Sequence, residues 1–97
     1  SDVYKRQVLP DILEVIEVWG SDAHADVGTA VMSLAIVVLD MATEADGGAH
    51  LARSHSAQLL RIQTMALASA DVSQQAAAVV LCIADMQERM HQALLAK

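Results

Sequence analysis

Apolar residues recur at spacings of three and four along four segments of this chain, which is the periodicity of amphipathic α-helices. The strict alternation of apolar and polar residues that marks a β-strand is absent, apart from a short hint in residues 14–19. Gly20 follows the first segment, and Asp46-Gly47-Gly48 separates the second segment from the third. The sequence therefore predicts an all-α fold.

These helix-breaking residues, together with the other segment ends, divide the chain into a short first helix and three helices of about 20 residues each. Consecutive helices joined by connections this short lie side by side and antiparallel. We therefore expect an antiparallel helical bundle of three long helices plus one short N-terminal helix, completed by homodimerisation. The expected helices cover approximately residues 10–19, 22–45, 49–69 and 71 onwards.

The composition explains why a second copy is expected. A chain of 97 residues forms a single small domain and buries only about 60 to 65% of its unfolded surface. Its core also has to be built almost without aromatic residues, because it contains one Trp, one Tyr and no Phe. Self-association is the simplest way to bury more apolar surface.

Charge and cysteine content exclude several classes of protein. The net charge of −6 argues against a nucleic-acid partner, and a single cysteine, Cys82, can form neither an internal disulfide nor a Cys-rich zinc site. The most apolar stretch, Val27–Leu39, would extend roughly 20 Å as a helix, which is shorter than a membrane core. We expect a cytoplasmic protein that binds neither nucleic acid nor membrane.

The second expected helix is apolar on two sides. Val31, Leu34 and Val38 belong to the heptad stripe assigned to the core, and a second stripe lies nearly opposite. A smaller second patch lies on the third helix. One chain can cover only one side of each helix, so the second stripes are expected to form a homo-oligomeric interface. The expected interface residues are Met32, Ile36, Leu39, Leu60 and Leu67.

Residues 1–7 stand apart from the rest of the chain. Asp2–Gln7 resembles the translation, in one reading frame, of a transposase mosaic-end adapter used in sequencing libraries. We therefore expect residues 1–7 to be a non-native segment, followed by one helical domain over residues 8–97. On this interpretation the gene came from a fragment that lacked its natural start.

Two histidines lie in segments that resemble phosphorelay proteins. His50, with Arg53 three positions on and Ser54 four positions on, resembles the motif of histidine phosphotransfer domains. That resemblance implies that His50 accepts a phosphoryl group, that Arg53 stabilises it and that a receiver domain is the partner. His24, together with residues 61–67, resembles the dimerisation and phosphoacceptor hairpin of some sensor histidine kinases. The two resemblances imply different acceptors, and His50 is the preferred one.

The remaining candidates are expected to be structural. His55 lies within the apolar stripe of the third helix, so we expect a core or interface histidine. Glu88 and His91 have the Glu-x-x-His spacing of di-iron bundles, but both fall on the flank or back of their helix. Neither metal nor cofactor is expected. The sequence thus favours a small acidic helical protein without catalytic activity, which acts by association with itself or with another helical protein.

Overall fold

A computed structural model describes residues 2–20, 25–44, 46–71 and 73–96. This part of the chain forms five α-helices and contains no β-strand, so the all-α prediction is confirmed. The helices are α1 (Asp2–Gly20), α2 (Ala25–Ala42), α3 (Ala49–Ser54), α4 (Ser56–Leu67) and α5 (Gln74–Leu95).

The contacts between helices enclose one core. α1 packs against α2 and α4, and α5 packs against α2, α3 and α4. Around the core, α1 therefore lies between α2 and α4, and α2 lies between α1 and α5. The core contains mostly aliphatic side chains with two methionines: Leu13, Ile16, Met32, Ala35, Val38, Leu39, Leu51, Ala52, Leu59, Ile62, Ala66, Ala76, Val79, Ile83 and Met86.

The first helix is not short. α1 extends over 19 residues and includes Pro10 within the helix, whereas the sequence predicted a helix beginning near that proline. Proline is tolerated inside a helix at a cost, because its nitrogen has no hydrogen to donate to the preceding turn. Near the C-terminal end of α1, Trp19 is half exposed.

The third expected helix is broken into two. His55, with φ −128° and ψ 36°, lies between α3 and α4 and departs from helical geometry. Backbone hydrogen bonds continue across this break, because the N–H of His55 bonds to Leu51 O and the N–H of Leu59 bonds to His55 O. His55 is only half buried at this break, so it is not the fully enclosed core histidine that its position in the stripe suggested.

Side-chain caps fix the N-terminal ends of α3 and α5. Asp46 accepts hydrogen bonds from the backbone N–H groups of Gly48 (3.0 Å) and His50 (2.9 Å) and so caps α3. α5 begins at Gln74, and the hydroxyl of Ser73 accepts a bond from the N–H of Ala76 at 3.1 Å. The sequence predicted a helix from about residue 71 onwards, but α5 begins only after Ser73, which is a preferred type of N-cap residue.

The buried side of α2 differs in part from the prediction: Val38 is buried and Val31 packs against the core as expected, but other residues of the two stripes do not follow it. Met32 and Leu39 lie in the core of a single chain and Ile36 packs against it, so they do not form an exposed interface. Leu34 and Met41, which were assigned to the core, are exposed. The physical reason is that Ala35 lies at the centre of the buried side, where its small side chain lets α2 approach its neighbours closely.

Candidate functional site: an exposed apolar face on two helices

The outer side of α2 exposes a row of large apolar side chains. Leu34, Val37 and Met41 recur at i, i+3 and i+7, and each is about half exposed. On the opposite side the same helix buries Met32 and Leu39. A helix that is apolar all round is ordinarily covered all round. α2 therefore presents more apolar surface than its own chain covers.

The packing of α2 against α5 indicates on which edge of α2 this row of apolar side chains lies. The carboxylate of Asp40 lies close enough to Cys82, on α5, to raise the pKa of that thiol. Since α2 packs against α5, we infer that the Asp40 edge of α2 is the one nearer to α5. At 100° per residue, Leu34 lies about 120° and Met41 about 100° from Asp40 around the helix. Both residues thus lie toward the edge of α2 that adjoins α1.

The adjoining edge of α1 is apolar as well. Glu17 forms an ion pair with Arg61 of α4, so the Glu17 edge of α1 faces α4. Val15 and Trp19 each lie about 160° from Glu17 around the helix, which places them on the edge away from α4 and beside α2. The two edges together form what we call the α1–α2 face, whose residues are all 44–57% exposed: Val15, Trp19, Leu34, Val37 and Met41.

The remaining two predicted interface residues are exposed, but elsewhere. Leu60 and Leu67 are both more than half exposed on α4. Gln63, between them in the sequence, donates to the carbonyl of Val80 and accepts from Gln87, both on α5. Leu60 and Leu67 lie within about 60° of Gln63, so they follow the edge of α4 that adjoins α5. They do not join the α1–α2 face.

The histidines do not assemble into one site. His50 is exposed on the six-residue helix α3, and its Nε2 atom lies 3.3 Å from the Ser54 hydroxyl oxygen. Arg53 is exposed on the same helix. His24 lies outside the described residues. Glu88 and His91 are exposed on α5, and nowhere in the described ranges are three or more His, Cys, Asp or Glu side chains grouped to hold a metal ion.

The half-buried Cys82 is the one described cysteine, and its surroundings disfavour a thiolate. Burial raises the pKa of its thiol, and the negative charges of Asp40 and Asp85 raise it further. A thiolate is the nucleophilic and metal-binding form of cysteine, so this environment opposes both kinds of chemistry. Cys82 accordingly behaves as a small apolar residue at the edge of the core.

The α1–α2 face is an exposed apolar surface that the fold of the described residues does not explain. No helix within the described ranges is long and apolar enough to cross a membrane. The sequence matches no protein-family model, no curated protein and no solved structure. The function of the chain is therefore inferred from its own residues.

Proposed function

We propose that this protein is a helical association module without catalytic activity, in which the α1–α2 face binds the same face of a second copy. The helices then form an antiparallel bundle that homodimerisation completes, in a cytoplasmic protein. The observation that carries the proposal is that α2 is apolar on both sides: Met32 and Leu39 fill the core while Leu34, Val37 and Met41 remain exposed.

The surface area of the chain supports the same proposal. A folded monomer of 10.3 kDa is expected to expose about 5,350 Å². This chain exposes 6156 Å². The excess, about 800 Å², is what each partner loses on forming an interface of standard size. Burial of these half-exposed apolar side chains would supply the driving force for dimerisation. The core of a single chain is small and almost without aromatic residues, so this additional burial would stabilise the fold.

Trp19 provides the experiment, because it is the one tryptophan of the chain and lies on the α1–α2 face. Sedimentation equilibrium over about 1 to 100 μM should show a monomer–dimer equilibrium, and Trp19 emission should shift to the blue as the dimer forms. Leu34→Ser should weaken dimerisation, whereas Leu81→Ser, which alters an exposed leucine of α5 that lies outside the face, should leave it unchanged. A folded monomer throughout this range contradicts the proposal.

A second candidate function is phosphoryl acceptance at His50. Two observations favour it: the imidazole is exposed, and Arg53 is exposed three residues further along the same short helix, where its charge could stabilise a phosphoryl group. Incubation with a phosphorylated receiver domain should then produce an acid-labile phosphohistidine that His50→Gln abolishes. Absence of that product, with the receiver shown to be phosphorylated, excludes this candidate.

A further inference from the structure

The half of the chain that carries the α1–α2 face is acidic throughout. Residues 7–52 contain no Lys or Arg, whereas they contain eight acids: Asp11, Glu14, Glu17, Asp22, Asp26, Asp40, Glu44 and Asp46. No base is therefore available within this long segment to compensate its negative charge. Any surface formed from α1 and α2 inherits this imbalance.

Three of these acids border the α1–α2 face directly. Asp11 lies one helical turn before Val15 on α1, and Asp40 and Glu44 each lie one turn after Val37 and Met41 respectively. All three acids are exposed. Two arginines of the described residues are engaged with other acids, since Arg61 pairs with Glu17 and Arg89 pairs with Asp85. The face is thus an apolar strip with an acidic rim.

A second copy would cover the apolar strip with apolar residues, but its own acidic rim would face the acidic rim of the first copy. When two such faces meet, acidic rims come together, and like charges across an interface oppose association. A partner that offers apolar residues flanked by Lys or Arg would bury the same strip and would turn the repulsion into attraction. The methionine and the branched side chains of the strip suit a helix laid along it, since helices bind grooves through anchors at i, i+3, i+4 and i+7.

We propose that the preferred occupant of the α1–α2 face is a cationic amphipathic helix of another protein, which displaces the second copy. This inference rests on the proposed function, because it uses the same face. The protein is then a homodimer in the absence of its partner. Repulsion between the acidic rims weakens the homodimer, so the cationic helix displaces the second copy.

The probe is an 18-residue amphipathic peptide of Leu and Lys without tryptophan, and its matched control carries Glu in place of every Lys. Titration of the whole chain with the Leu–Lys peptide should shift Trp19 emission to the blue and reduce the sedimenting species to one chain with one peptide. The Leu–Glu peptide should bind at least about tenfold more weakly. Raising the salt concentration should weaken binding of the Leu–Lys peptide, because the rim charges are exposed to solvent.

Variants separate binding at the face from general attraction between opposite charges. Leu34→Ser and Val37→Ser should each weaken binding of the Leu–Lys peptide by about tenfold, whereas Leu81→Ser should change it by less than about twofold. Circular dichroism verifies that each variant remains helical. The double variant Asp40→Asn, Glu44→Gln should bind about threefold more weakly at low salt and lose part of the salt dependence.

The outcomes distinguish this inference from the proposed homodimer. Equal binding of the Leu–Lys and Leu–Glu peptides overturns the inference, and so does equal binding by Leu34→Ser, Leu81→Ser and the unaltered chain. A dimer that persists at saturating Leu–Lys peptide also overturns it, while leaving the homodimer intact. A chain that is monomeric alone but binds the Leu–Lys peptide at this face overturns the homodimer and supports the inference.

Discussion

Gly48 lies directly against Met86, so closely that a Cβ atom on Gly48 would be 2.6 Å from the Cγ atom of Met86. Met86 is fully buried on α5, and Gly48 has a left-handed backbone with φ +85°. The turn between α2 and α3 is thereby held against α5 at a point where only glycine meets both the steric and the conformational requirement. The neighbouring Gly47 also has a positive φ, but its Cβ would meet the exposed side chain of Arg89.

We expect Gly48→Ala to reduce the free energy of unfolding by about 2 to 4 kcal/mol, since it combines left-handed strain with overpacking against a buried side chain. Gly47→Ala is the matched control and should cost only about 1 kcal/mol, because Arg89 is flexible and can move into solvent. Urea denaturation of the two variants measures the difference. Equal losses would show that the contact with Met86 does not constrain the turn.

The sequence predicts the helical content and the strongest breaks well, because these depend on local chemistry. The periodicity of three and four identifies the helical segments, and Asp46-Gly47-Gly48 marks a turn whose glycines do have positive φ. The break at His55, in contrast, could not be predicted from local chemistry. No glycine or proline lies near it, and the apolar stripe continues through it, so residue pattern alone gives no signal.

The buried side of α2 shows a limit of apolar periodicity as evidence, because Leu34 is exposed while Met32 and Leu39 are buried. Two stripes compete on this helix, and the larger side chains make the Leu34–Met41 stripe look like the core. The polar residues give a further signal: Thr29, Ser33 and Asp40 share one side, Val31 and Val38 lie opposite to them, and Ala35 lies about 40° further round. A small residue scores weakly as apolar, yet Ala35 is fully buried. Met32 and Leu39, which were predicted for the interface, lie in the core for this reason, and Ile36 is half buried against it.

The ion pair between Glu17 and Arg61 should contribute to stability only above acidic pH. The hydrogen bond from Arg61 lowers the pKa of the Glu17 carboxyl from its usual value of about 4.5. A carboxyl with a depressed pKa in the folded state stabilises the fold above its unfolded pKa, and that contribution is lost as the pH falls through the folded pKa. Because the pair is exposed, the effect is small and weakens with salt.

The melting temperature of Glu17→Gln should therefore be slightly below that of the unaltered chain near neutral pH, by no more than a few degrees. The difference should shrink as the pH falls below about 4.5 and vanish once Glu17 is protonated in both states. Glu14→Gln on the outer side of the same helix controls for loss of one acidic charge. A difference that is constant over the whole pH range contradicts the assignment.

The proximity of Asp40 to Cys82 can be measured through the thiol. Removing the negative charge by Asp40→Asn should lower the pKa of Cys82, because that charge is one of the causes that raise it. Alkylation by iodoacetamide proceeds through the thiolate, so its rate at a fixed, mildly alkaline pH should increase. Glu44→Gln is the control and should leave the rate unchanged. An unchanged rate in Asp40→Asn would mean that the Asp40 edge of α2 does not face α5.

The assignment of the two sides of α2 is tested by a pair of leucines five residues apart. Leu39 is 1% exposed, so Leu39→Ala should leave a cavity and reduce the free energy of unfolding by about 2 to 5 kcal/mol. Leu34 is 44% exposed, so Leu34→Ala should cost less than about 1 kcal/mol to the single chain. Denaturation at protein concentrations low enough to keep the chain monomeric separates these costs from association. If Leu34→Ala is instead the more damaging change under those conditions, the stripe of Leu34 and Met41 lies inside the fold, and the α1–α2 face does not exist.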